Sequence, residues 1–192
     1  MSTDHDNVRD KQIKGFIQNL SRLDDGERAR LKRNAGNTLA ESHQVRLLFY
    51  QKILPFDVTS EWQEERYFLI ATLYPFDKKQ RDKDRQPMPL LEGNPKETDY
   101  AEAFNTTLGS SFRQALNDTN KAGIDRRFSH LLDADSQQLN FQLRQAIMRL
   151  TTEWVSIDWR QLTQDILGWD SSTRYVQRKW ARDYTVYNSE TR

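Results

Sequence analysis

Residues 135–184 read DSQQLNFQLRQAIMRLTTEWVSIDWRQLTQDILGWDSSTRYVQRKWARDY, and this stretch decides the fold class. Leu139, Leu143, Ile147 and Leu150 recur at spacings of three and four, which places them on one stripe of an α-helix. Asp135-x-x-Gln138 stands ahead of that stripe as a capping box would, with side chains at both positions able to serve free backbone N–H groups. Asp158-x-x-Gln161 repeats the device before Trp159, Leu162 and Ile166. A last helix is predicted from near Ser171 to about Tyr184, with Val176, Trp180 and Tyr184 on its packed side.

The same periodicity extends outward. A helix is predicted over about Tyr100 to Leu116, and a short one over Ile124 to Asp133 with Phe128, Leu131 and Leu132. Nearer the N-terminus, Ile13, Phe16, Ile17 and Leu20 mark an amphipathic first helix. Asp24-Asp25 can cap a second helix, from Glu27 to Ala35, which Gly36 would stop. A third, about Glu41 to Leu54, is apolar nearly all round, which predicts a central position, and Pro55 ends it. Glu61 to Tyr74 reads as a fourth, ended by Pro75. No fixed repeat and no alternating strand pattern occurs. The expected fold is all-α: an N-terminal bundle over 1–75, a variable polar loop over 76–98, a C-terminal bundle over 99–187 and a tail over 188–192. Pro87, Pro89, Gly93 and Pro95 punctuate the loop.

Composition narrows the function classes. Apolar residues are only 36% of the 192, yet they cluster in the periodic segments, so a core is expected and disorder along the whole length is not. Gly and Pro number 7 and 5, too few for a turn-rich β-sandwich. With no cysteine, disulfides, thiol catalysis and Cys-based zinc sites are excluded. Met1 to Asp10 is polar and unlike a signal peptide, and no apolar run approaches the roughly 18 residues of a membrane span, so a soluble cytoplasmic protein is expected.

The formal net charge is +1, so any nucleic-acid surface must come from segregated bases. Arg174, Arg178 and Arg182 at i, i+4, i+8 fall within about an 80° arc of a helix, with Lys179 beside them. Steps of about 6 Å approximate the phosphate spacing of a single strand, and Arg binds phosphate through paired donors. Arg28, Arg30, Lys32 and Arg33 crowd the second helix, where Arg28 and Lys32 form one ridge and Arg30 and Arg33 another. Arg126 and Arg127 form a third cluster, and Arg144 and Arg149 flank the stripe of the helix that follows. A row of bases is also what any solvated helix carries, and each of these arginines could equally pair with an acid. The loop bases Lys78, Lys79, Arg81, Lys83 and Arg85 alternate with Asp77, Asp82 and Asp84 and read as solvated mixed charge.

Catalytic patterns are missing. His5, His43 and His130 lack metal-ligand spacing, and Asp133 and Asp135 flank a helix break, where capping explains them. No glycine-rich phosphate loop occurs. Trp159, Trp169 and Trp180 lie in apolar stripes and are expected in the core. No cofactor, metal or catalytic residue is expected.

Several strings, taken in order, resemble a known family. They are Leu31-Lys32-Arg33-x-Ala35-Gly36, Phe68-Leu69-Ile70-Ala71-Thr72-Leu73-Tyr74-Pro75, Leu108-Gly109-x-x-Phe112-Arg113 and Asp125-Arg126-Arg127-Phe128-x-x-Leu131-Leu132-Asp133-Ala134. Leu143-Arg144-Gln145, Ile157-Asp158-Trp159-x-Gln161-Leu162, Asp165-Ile166-Leu167-x-Trp169-Asp170 and Arg174-x-Val176-Gln177-Arg178-Lys179-Trp180-Ala181-Arg182-Asp183-Tyr184 follow. Collinear over roughly 27–184, they resemble the CasB family, the small subunit of the type I-E CRISPR complex Cascade. The resemblance implies a non-enzymatic all-α subunit, paired with a second copy beside backbone and large subunits. It also implies a basic surface along guide RNA, target DNA and displaced strand. The matching bases are Lys32, Arg33, Arg126, Arg127, Arg144, Arg174, Arg178, Lys179 and Arg182; Arg28 and Arg30 are added from helix geometry. The alternatives are a helical adaptor whose basic faces meet acidic proteins and, further off, a nuclease.

Overall fold

The structure, a computed structural model, describes residues 3–78, 80, 82, 106–117 and 119–185, with side chains from Asn7 onward. The described residues are helices and connections without a strand, the all-α class expected. They fall into two compact units divided between Phe104 and Asn105.

In the first unit, α1 (Thr3–Ser21) buries Ile13, Phe16 and Leu20. The capping box that opens α2 (Asp25–Arg33) is complete: Glu27 N–H donates to Asp24 Oδ1 at 2.8 Å, and Asp24 N–H donates to Glu27 Oε2 at 3.2 Å. Gly36 follows with φ 90°, a left-handed turn that favours glycine. The third helix departs from expectation. It is α3 (His43–Leu48) continued by a π-helical turn, Phe49–Ile53, which closes with Leu54 N–H on Phe49 O at 2.9 Å. Val45, Leu48, Phe49 and Ile53 face inward, but Leu47 is 66% exposed. Tyr50 also faces outward and donates to Glu64 Oε2 at 2.5 Å. A helix this short at the side of a bundle buries one face only, whatever its composition. The helix enclosed on all sides is α4 (Glu61–Leu73), buried without interruption from Arg66 to its end. Tyr67 packs on Phe16 and Phe68 on Phe49, with ring centroids 4.7 and 5.3 Å apart. Pro75 lies in a 3-10 turn, Tyr74–Phe76, that continues α4. Within the expected loop, Asp77 is buried and accepts the Gln80 N–H at 3.0 Å, and Lys78, Gln80 and Asp82 are helical. Lys79, Arg81, Lys83, Arg85, the rest of 83–105 and the expected tail lie outside the described residues.

The second unit contains α5 (Leu108–Gln114), α6 (Lys121–Asp133), α7 (Leu139–Thr152), α8 (Trp159–Ile166) and α9 (Tyr175–Thr185). Thr107 caps α5, and α5 lies so close to α9 that a Cβ at Gly109 would stand 2.1 Å from the Trp180 carbonyl oxygen. The core centres on Trp180 and Trp169, with ring centroids 5.2 Å apart. Trp180 Nε1 donates to Asp165 Oδ2 at 2.6 Å, and Gln161 Nε2 donates to Asp165 Oδ1 at 2.8 Å. Only half of the second expected box therefore forms: Asp158 accepts Gln161 N–H at 2.9 Å, but the Gln161 side chain turns to Asp165. Asp135 accepts from the N–H groups of Gln137 and Gln138, both at 2.9 Å, and α7 begins just beyond. The last helix starts at Tyr175, not near Ser171, because Arg174 has φ 47°, outside any right-handed helix. No helix among the described residues is long and apolar enough to cross a membrane.

Candidate nucleic-acid interface

α9 is the most clearly segregated basic face. Val176 and Trp180 are buried, Tyr184 is half-buried, and Arg178, Lys179 and Arg182 are exposed on the other side. The acid of this helix is withdrawn: Asp183 accepts from Thr107 Oγ1 at 2.6 Å, the residue that caps α5. Three cations thus share an outer arc of about 100°.

Arg174 does not belong to that row, which corrects the i, i+4, i+8 reading. Its backbone precedes the helix and its carbonyl accepts the Arg178 N–H at 3.1 Å, while its guanidinium donates to the Leu132 carbonyl at the end of α6. It ties α9 to α6. Arg28 is corrected as well. Only 7% exposed, it donates from Nε to Leu23 O at 3.0 Å and from one Nη to Leu20 O at 3.3 Å and Ser21 O at 2.9 Å. Those carbonyls lie in the last turn of α1 and just beyond it, so Arg28 caps a helix end and leaves the candidate surface. Its guanidinium also lies 5.5 Å from the Tyr74 ring centroid.

Arg30, Lys32 and Arg33 remain exposed on the outside of α2. Glu27, an acid of the same helix, is buried and engaged by Asp24 N–H and by an ion pair to Lys52. Lys32 Nζ lies 4.6 Å from the Phe76 ring centroid.

The third cluster is a groove between α6 and α7, with a volume of about 600 Å³. Arg126, Arg127 and His130 line it from α6, and Phe141, Gln145 and Arg149 from α7. Arg127 Nη1 donates across it to Gln145 Oε1 at 3.2 Å, and Arg149 pairs with Glu153. Arg144 is half-buried and is not among the residues lining the groove; its Nε has neither solvent nor a hydrogen-bond partner. The sequence reading missed Phe141 and His130 as site residues. Phe141 carried the signal that could have found it, an aromatic off the Leu139–Leu143–Ile147–Leu150 stripe. Among the described residues no three His, Asp or Glu side chains converge as a metal site. Burial raises the Asp165 carboxyl above its ordinary range, against the opposing hydrogen bonds from Trp180 and Gln161.

A family model described as CRISPR-associated protein Cse2 matches residues 27–184 of the chain. The CRISPR-associated protein Cse2 of Thermus thermophilus is 33% identical over 135 residues, which span 68% of this chain and 63% of that relative, under two thirds of its length. Among solved structures, CasB from Thermus thermophilus aligns with a TM-score of 0.62 at 25% identity, over 90% of this chain and 96% of that one. M. ruber CasB gives 0.64 at 23% identity, over 92% of each chain. A chain from a CRISPR RNA-guided surveillance complex gives 0.67 at 20% identity, again over 92% of each. The last two likenesses concern the fold.

Proposed function

The chain belongs to the CRISPR-associated Cse2 family, and from that premise we propose that it is a non-catalytic small subunit of a type I-E CRISPR surveillance complex, holding nucleic-acid backbones without reading their sequence. The observation that carries this reading is α9, with Arg178, Lys179 and Arg182 exposed on one arc and Asp183 turned away to Thr107. Contacts of that kind position a backbone and carry no base information. Guide pairing exchanges one duplex for a hybrid of similar stability, so opening is nearly balanced. Cations that hold the displaced strand or the hybrid tip the balance toward the open loop. Guide RNA, target strand and displaced strand are the polyanionic partners in this reading. The complex's backbone and large subunits and a second copy of the chain are the protein ones. The likeness to a chain from an RNA-guided surveillance complex supports the assembly part of the reading.

The test replaces Arg178, Lys179 and Arg182 together by Gln. In the assembled complex, guide binding should be unchanged and the open loop should collapse faster on target DNA. An adaptor with no nucleic-acid role gives a different result: the triple variant fails to enter the complex, and the free chain binds no single strand. An unchanged loop lifetime in a variant that assembles refutes α9 as the track.

A further inference from the structure

Deepening the reading above, and resting on it, we infer that the α6–α7 groove holds one unstacked base of a single strand against Phe141, with the neighbouring phosphate on Arg126 and Arg127. Gly123, Arg126, Arg127 and His130 stand at i, i+3, i+4, i+7, a single face of α6 turned to the groove. Among the described residues lining it, none is Asp or Glu. The volume of about 600 Å³ lies within the roughly 300–1,000 Å³ of small-ligand sites.

Phe141 lines the same groove from α7. It is 57% exposed although Leu139 and Leu143 beside it are buried. An aromatic ring held in solvent at the rim of a cationic groove is the combination that binds a base through its face and its backbone through charge. Gln145, fixed by Arg127 at 3.2 Å, borders the same space. Arg149 is already paired with Glu153, so Arg126 and Arg127 are the groove cations left for phosphate. In a duplex the base faces are covered, so this groove favours single strands over duplex, which a row of cations alone does not.

The test measures binding of the full chain to a labelled oligothymidylate strand and to an abasic strand of equal length and charge. The intact chain should prefer the strand with bases by about tenfold. Phe141→Ala should abolish the preference and leave abasic binding and its salt dependence unchanged, while Phe141→Tyr retains the preference. Gly123→Leu should also abolish it by filling the groove: apart from the adjoining residues and backbone of its own helix, nothing lies within 4 Å of a Cβ built there, and leucine favours the helix over glycine. Equal binding of the two strands by the intact chain, or a preference that survives both variants, overturns the base site and leaves α9 standing. If the intact chain binds neither strand, the backbone-binding function falls with it.

Discussion

Asp165 is a carboxyl enclosed with two tryptophans, and its chemistry sets a pH signature. Burial raises its pKa in the folded chain, with Trp180 and Gln161 partly opposing the shift. The folded state therefore holds this proton at a pH where the unfolded state has lost it. The group's contribution to stability rises as pH falls from neutral through the raised value, and levels off below the unfolded carboxyl's value of about 3.9. Asp165→Asn should flatten that dependence in denaturant melts, since Gln161 can reverse its amide while Trp180 keeps an oxygen acceptor. Asp165→Ala leaves two buried donors unmet and should cost about 1–3 kcal/mol. Trp180→Ala removes a fully buried indole and should cost about 3–5 kcal/mol. Arg178→Ala, on the opposite side, should change stability by about 0.5 kcal/mol or less. Equal melting temperatures for these two variants would contradict the facing of α9. That facing was legible in the sequence, because Val176, Trp180 and Tyr184 repeat at helical spacing. The role of Arg28 was not: spacing gives the direction of a side chain, but not the carbonyls around the end of α1 that it meets.

The seat of α9 depends on one absent side chain. Gly109 leaves room for the Trp180 carbonyl, and its replacement by Ala must part α5 from α9. We expect a loss of about 1–3 kcal/mol for this overpacking, read as a lower unfolding midpoint with α1–α4 unaffected. The outer face of the same helix has a separate readout. Replacing Arg178, Lys179 and Arg182 by Gln removes three charges, and each phosphate contact contributes about 0.7 to the salt slope of single-strand binding, so the slope should flatten by about 2. Arg174→Gln should leave that slope intact and lower stability instead, because its guanidinium serves Leu132. Helix starts were legible wherever a short acid leads the stripe, as Asp24 and Asp158 do. The π turn over Phe49–Ile53 was not, since an apolar run has no register to betray one extra residue per turn. The start of α9 was misplaced because a left-handed backbone at Arg174 leaves no mark on hydrophobic spacing.

Fold class and family were legible, because ordered strings from Leu31 to Tyr184 lie in and beside helices that the core requires. Which basic faces the folded chain presents was only partly so, since it depends on where the acids go. Several acids are engaged within the fold: Asp24 on Glu27 N–H, Asp125 on Tyr184, Asp135 on Gln138 N–H, Asp158 on Gln161 N–H, and Asp183 on Thr107. Seen from afar the chain is close to a neutral object, with a formal charge of +1. Its field is a higher multipole that fades faster with distance than that of a true polycation, and salt extinguishes the rest beyond about 8–10 Å. Loose RNA and DNA therefore exert little long-range pull on it in solution. In the proposed function, a strand delivered to its surface by other components meets the exposed cations of α9, so capture would depend on delivery and not on diffusion of the chain to any available polymer.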